Sequence, residues 1–155
     1  MTPLFRKLNL GEHTVIHVLN VPASFEPELA ALSGVTVKRS VSGRSGFAMA
    51  FVVTEAQRDS ASRKLATACH GDGIIWMVYP KGTSKKYQCE FRRDSGWAVL
   101  AAAGFETVRM VAIDEDWSAL RFRRIEYIKP SSGSGTGTRV SVLKPRRALG
   151  KKAVR

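Results

Sequence analysis

Short apolar runs separated by turn residues fill most of the chain, and their spacing predicts strands alternating with helices. Residues 14–19 (Thr-Val-Ile-His-Val-Leu) are β-branched and apolar, bounded by Gly11 and Pro22, which marks a buried strand. Ser24 is placed to cap a helix over 25–32 with Phe25, Leu29 and Leu32 on one face and Gly34 as its stop. Residues 35–40 form a second strand, short and flanked by charge, hence near an edge. Residues 47–53 are a nearly unbroken apolar run, the pattern of a strand covered on both faces. Thr54 can cap a helix over 55–69, with Glu55 near its positive end and Arg63 and Lys64 further along. The turn His70-Gly-Asp-Gly73 then leads into a buried strand at 74–79. Asp94 or Ser95 opens a helix over 96–103, closed by Gly104, and residues 107–113 are the next strand. At 118–128, Leu120, Phe122, Ile125 and Ile128 alternate with Arg121, Arg123, Arg124 and Glu126, which suits an edge or half-exposed strand antiparallel to its predecessor.

Strands joined through helices require right-handed parallel crossovers, so the fold class is α/β. The expected architecture is a three-layer, Rossmann-like open sheet, mostly parallel, in the order 2-1-3-4-6-5 with an antiparallel C-terminal strand. Residues 1–129 make one α/β domain, and 155 residues suffice for one such core. From 130 the character changes. Ser131-Ser-Gly-Ser-Gly-Thr-Gly-Thr138 reads as a flexible linker, and 130–155 as a mostly disordered basic tail.

Charge sharpens that division. Net charge is +12, but residues 129–155 hold eight Lys or Arg and no acid, leaving 17 basic against 13 acidic residues in 1–128. The tail residues Lys144, Arg146, Arg147, Lys151 and Lys152 have the composition of an arm that neutralises nucleic-acid phosphates without base stacking, or of a solubilising extension. Two cysteines, Cys69 and Cys89, need no disulfide framework. Apolar runs are too short to span a bilayer and no signal-like run follows the N-terminus, so a cytoplasmic protein without membrane contact is expected.

The strings Trp76-Met-Val-Tyr-Pro-Lys81, Arg93-Asp-Ser-Gly-Trp97, Val111-Ala-Ile-Asp114 and Trp117-Ser-Ala-Leu-Arg-Phe-Arg123 resemble, in this order, the bacterial family called domain of unknown function 3052, over roughly 14–124. That resemblance implies no reaction, cofactor or catalytic residue. A second likeness, in architecture, is to class I methyltransferases: a strand ending in Tyr-Pro-Lys, a helix with Gly-Trp, then a strand and a returning strand. Those enzymes have a Gly-rich turn after the first strand. Here the turn is Asn20-Val-Pro-Ala-Ser-Phe25, without glycine and with Pro22 lacking an N–H.

In open α/β sheets the binding crevice lies beyond the carboxyl ends of the strands. On the expected topology that edge gathers Asn20, Thr54, Glu55, Tyr79, Lys81 and Asp114 as candidate ligand contacts, although Asn, Thr and Asp also suit turns for local reasons. Lys85, Lys86, Arg92 and Arg93 add a cluster that would attract a small anion, or form a solvated loop. Asp114, Glu115 and Asp116 point in different directions in a tight turn, so turn formation and pairing with Arg121 or Arg123 outweigh metal binding. His13 and His17 would stand about 13 Å apart along a strand, too far to share an ion. No metal site and no catalytic set is assigned; Trp76, Trp97 and Trp117 are read as core, and the cofactor and the oligomeric state are left open. The expectation is a non-catalytic domain binding a small ligand or partner, its tail attaching to nucleic acid. The alternative is a divergent, methyltransferase-like transferase using a nucleotide-type cofactor at the same edge.

Overall fold

The computed structural model describes residues 2–91 and 96–128. The sheet occupies the compact unit Met1–Ile125; of the second unit, Glu126–Arg155, residues 126–128 are described, the first two closing a 3-10 turn. Arg92, Arg93, Asp94 and Ser95, and the linker and tail expected at 130–155, lie outside the described residues.

The elements are β1 (Val15–Leu19), β2 (Thr36–Lys38), β3 (Ser45–Phe51), β4 (Cys69–Pro80), β5 (Phe105–Ala112) and β6 (Trp117–Arg124), with helices α1 (Pro3–Lys7), α2 (Glu26–Ala30), α3 (Glu55–Ala68) and α4 (Ala98–Ala102). The strands hydrogen-bond in the order β2-β1-β3-β4-β6-β5, the order expected from the alternation of strands and helices. β2, β1, β3 and β4 are mutually parallel, and β6 enters antiparallel between β4 and β5.

Period-2 alternation in the central strands makes two cores. Ile16, Val18, Phe47, Met49, Phe51, Trp76 and Val78 meet Phe5 and Leu8, with Phe25 just before α2 and Leu29 of α2, on one face. Ala48, Ala50, Ile75, Met77, Tyr79, Leu120 and Phe122 meet Ala61 and Leu65 of α3 and Leu100 of α4 on the other. Each large side chain so buried contributes about 1.5–3 kcal/mol, which is why strands with apolar residues on both faces need two helical layers. Trp76, Trp97 and Trp117 are buried, as expected, and the Trp76 indole donates to the Leu8 carbonyl at 2.9 Å.

Three local expectations are corrected. Residues 70–73 are strand, not turn, and Cys69, expected to end the helix, starts β4; the extra residues form a bulge between the pairs Ser45–Cys69 and Phe47–Ile74. Gly73 is needed there for packing, since a Cβ would lie 2.9 Å from the Cys69 sulfur and 3.1 Å from the Ser45 carbonyl oxygen. Ser24 caps nothing: it sits inside a 3-10 turn, Ala23–Phe25, that leads into α2 without a side-chain cap. β6 is interior and β5 is the edge, as the expected order has them, but β6 is buried at most of its positions where alternation suggested an edge or half-exposed strand, and β5 is exposed along most of its length. α1 is an addition, begun by Pro3 at its first position and capped by Thr2, whose hydroxyl accepts from the Phe5 N–H at 3.1 Å. No helix among the described residues is long and apolar enough to cross a membrane.

Candidate functional site

The winding direction reverses between β1 and β3. β1 continues into α2 on one face and on to β2, whereas β3 continues into α3 on the opposite face and on to β4. Such a reversal leaves the carboxyl ends of the two strands uncovered by a connecting loop. A crevice of about 460 Å³ lies there, lined by Leu19 and Asn20 after β1, Arg39 and Ser40 after β2, and Gln57, Ser60 and Lys64 on α3.

Asn20 takes a left-handed conformation (φ 59°) that asparagine tolerates better than most residues, so the chain makes its sharp turn without glycine. Its amide donates to the Phe51 carbonyl at 3.2 Å and ties the two strand ends together. Arg39 forks onto Glu26 at 2.7 and 2.9 Å across the mouth, and the fork holds the Glu26 carboxyl below its ordinary range. Both side chains are about half exposed (54% and 46%), so this pair positions Arg39 more than it stabilises the fold.

Thr54 and Glu55 start the α3 wall. Thr54 accepts from the Gln57 N–H at 3.1 Å, and the Gln57 carboxamide oxygen accepts from the Thr54 and Val53 N–H groups at 3.1 and 2.8 Å, a complete capping box. The Glu55 N–H donates to the Glu90 carboxylate at 2.9 Å. Thr54 and the Glu55 amide are therefore committed within the chain, and neither residue lines the crevice.

Tyr79, Lys81, Lys85 and Lys86 gather elsewhere on the same edge, around a hollow of about 1060 Å³ beside β4, β5 and β6. Asp114 joins neither group. Its carboxylate accepts from the Asp116 and Trp117 N–H groups at 2.8 and 2.9 Å, a turn-forming role. Asp116 accepts from the Ser84 hydroxyl at 2.8 Å. The expected pairing of this turn with Arg121 or Arg123 gives way to another arrangement, in which Arg123 forks onto Asp72 at 2.8 and 2.6 Å, because the bulged start of β4 brings Asp72 alongside β6. Among the described residues no cluster of three or more His, Cys, Asp or Glu side chains could hold a metal ion.

The residues that sequence reasoning missed are Arg39, Ser40, Gln57, Ser60 and Lys64 of the crevice. Gln57, Ser60 and Lys64 recur at helical spacing, the signal that could have placed them on one face of α3. Arg39 and Ser40 carry no comparable signal, since only the parallel pairing of β2 with β1 brings them there. Buried His17, whose Nδ1 stands 2.8 Å from the Ser45 hydroxyl, is pushed below the ordinary histidine range by burial and then by Lys38. Burial raises both Cys69 and Cys89 above the ordinary thiol range, which disfavours the nucleophilic thiolate.

No protein-family model matches the chain, which leaves the resemblance to domain of unknown function 3052 without support. No curated protein matches it either. Solved structures do. A SAM-dependent methyltransferase from Aquifex aeolicus is similar at a TM-score of 0.55 with 10% identity, over 79% of this chain and 88% of that one. PigF with SAH is similar at a TM-score of 0.54 with 10% identity, over 77% and 53%. The pyocyanin biosynthetic protein PhzM aligns at 0.49 with 12% identity, over 77% and 52%, so this chain spans about half the length of PhzM and PigF. The mostly parallel sheet in the order β2-β1-β3-β4-β6-β5 is a Rossmann-like fold like that of the Aquifex aeolicus methyltransferase, and the similarity is one of fold.

Proposed function

We propose that this chain is a divergent, methyltransferase-like transferase domain that holds a nucleotide-type, phosphate-bearing cofactor in the crevice between β1 and β3. The observation that carries the reading is the crevice itself: it lies at the reversal of winding, and its lining combines Arg39 and Lys64 with Asn20, Gln57 and Ser60, with no carboxylate among the described lining residues. Lys64, beside an Arg39 already forked onto Glu26, stands among hydrogen-bonding groups, which suits an anionic ligand with a polar edge. The likeness of fold favours a transferase over the non-catalytic ligand-binding expectation.

S-adenosylmethionine, the group the fold implies, suits this lining poorly. It carries a sulfonium cation and an ammonium, and here it would meet Lys64, with Arg39 held by Glu26 and no acid among the described lining residues. The Asn20 amide is committed to Phe51, Pro22 offers no N–H, and α2 is five residues long, too short to present a helix N-terminus to a carboxylate.

A thermal-shift panel of ATP, AMP and S-adenosylmethionine tests the reading. A phosphate-bearing nucleotide at about a hundred times its Kd should stabilise the fold by about 2.7 kcal/mol. Lys64→Ala combined with Asn20→Gly, which keeps the left-handed turn available, should remove that shift while leaving the unliganded protein folded. A panel without any saturable shift, or a shift that survives in the variant, sinks the proposal. Binding without consumption of the nucleotide in a metabolite mixture would put the non-catalytic reading in its place.

The charge of 129–155 supports a separate proposal, electrostatic attachment of the tail to nucleic acid. Deletion of 130–155 should leave folding intact and remove salt-sensitive DNA binding; equal binding by the shortened chain would refute it.

A further inference from the structure

The hollow beside β4 is built more firmly than a basic surface loop requires. Its outer wall, residues 81–91, is tied at both ends. At one end the Lys81 N–H donates to the Asp116 carbonyl at 2.8 Å and the Ser84 hydroxyl to the Asp116 carboxylate at 2.8 Å. The Ser84 oxygen in turn accepts from the Lys86 and Tyr87 N–H groups at 3.2 and 3.1 Å, and the Tyr87 ring packs on Trp117 at 4.8 Å. At the other end Glu90 accepts from the Glu55 N–H at 2.9 Å and donates its own N–H to the Val53 carbonyl at 3.1 Å, while Phe91 is buried against Trp97. These tethers fix the path of the loop, so the hollow stands open without a ligand to shape it, which lowers the entropy cost of binding.

Its lining has two characters. Met110, 47% exposed on the edge strand β5, supplies a thioether surface, and Tyr79 and Phe91, both buried, add only the small part of each ring that stays accessible. Thioethers and ring edges favour planar, polarisable bodies. Lys81, Lys85 and Lys86 supply three ammonium groups, and no Asp or Glu is among the described lining residues. Ammonium groups on flexible stems recognise compact anions without demanding a fixed fork geometry. The volume of about 1060 Å³ accommodates a drug-sized molecule.

We infer that this hollow is a second ligand site, separate from the β1/β3 crevice, that takes a small planar aromatic acid: the ring lies against Tyr79, Phe91 and Met110, and the carboxylate or phosphate meets Lys81, Lys85 and Lys86. The inference goes beyond the crevice reading and does not depend on it.

Titration calorimetry on the full chain tests it with four probes: 2-naphthoate, 1-naphthyl phosphate, 1-naphthylmethylammonium and inorganic phosphate. At least one of the two naphthyl acids should bind saturably with one site, and which of them binds tighter identifies the anion. The naphthyl ammonium and inorganic phosphate should each bind at least tenfold more weakly. Lys85→Ala with Lys86→Ala should weaken the acid at least tenfold, and Met110→Asp, which sets a carboxylate against the ring, should do the same. Lys64→Ala in the crevice should leave it within twofold, so failure of the nucleotide reading and failure of this one are separable. Absence of saturable binding by both acids, equal binding of the ammonium, or indifference to both the lysine pair and Met110→Asp would overturn the inference.

Discussion

The crevice beside β1 and the hollow beside β4 share one edge of the sheet and a positive lining, but their walls are held in different ways. The crevice leans on α3, a regular helix of 14 residues whose first turn is closed by its own capping box. The hollow leans on an irregular loop fixed by Asp116, Val53 and Glu55, each reached across more than thirty residues of sequence. A helix supplies its own backbone hydrogen bonds and needs the rest of the fold only for its apolar face. A loop must borrow partners from elements already in place, so its shape is a consequence of tertiary structure. Glu90 links the two regions, because its carboxylate ends the loop and satisfies an N–H in the first turn of the helix.

The largest expected effect comes from removing the shared support. Trp117 is 3% exposed and touches both Phe51, at 5.2 Å, and Tyr87, at 4.8 Å. Trp117→Ala should cost about 3–5 kcal/mol in urea unfolding, because a large cavity opens where sheet and loop meet. A near-native midpoint would mean that the loop and the sheet do not share this packing. Thr54→Ala comes next, with about 1 kcal/mol lost through the N-cap. Nucleotide binding in the crevice should weaken with it, and calorimetry with a naphthyl acid should see little change; the opposite pattern would break the contrast between helix wall and loop wall.

Glu90→Ala should act the other way round. The expected stability loss is a few tenths to about 1 kcal/mol, since the lost hydrogen bond is exposed. Naphthyl-acid affinity should fall more than nucleotide affinity, because the loop end is released while the capping box remains. The smallest effect is a slope with pH. His17 is held neutral by burial and by Lys38, so its folded pKa lies below the unfolded value of about 6.5. The unfolded chain therefore binds the proton more readily, and the stability tied to His17 is present above that value and declines as pH falls through it. The carboxyls of Asp59 and Asp72, lowered by Arg58 and Arg123, lose their contributions only further down, in the carboxylate range. His17→Gln should flatten the upper part of the profile, measured by urea midpoints between pH 7.5 and 5.5, and an unchanged slope would remove His17 as its source.

Much of this architecture was legible along the chain. Residues 47–53 and 74–79 read as strands covered on both faces, and the helix between them, with Thr54 as cap, was expected within one residue of α3 as observed. Glycine caused the main misreading: Gly71 and Gly73 suggested a turn, but Gly73 admits Cys69 and Ser45 at close range inside a bulged strand. Alternation overstated the exposure of β6. The strand carries arginines at 121, 123 and 124, yet it pairs on both sides and is buried at most of its positions, and β5, at the edge, is the exposed strand. Pairing partners are not encoded in the periodicity of one segment. Asp114, Asp116 and Glu90 were visible as acids, but which amide each would satisfy depended on where distant backbones came to rest.

The chain alone determined the fold class, the number of strands and their order, because period-2 and period-3.6 patterns act within short segments and few topologies join such segments without crossing loops. Only the tertiary structure divided the carboxyl edge into a crevice and a hollow. That division follows from which helix lies on which face and from hydrogen bonds spanning 35 residues or more, such as Glu55 to Glu90. Contacts of this kind belong to the assembled sheet and to no single segment of it.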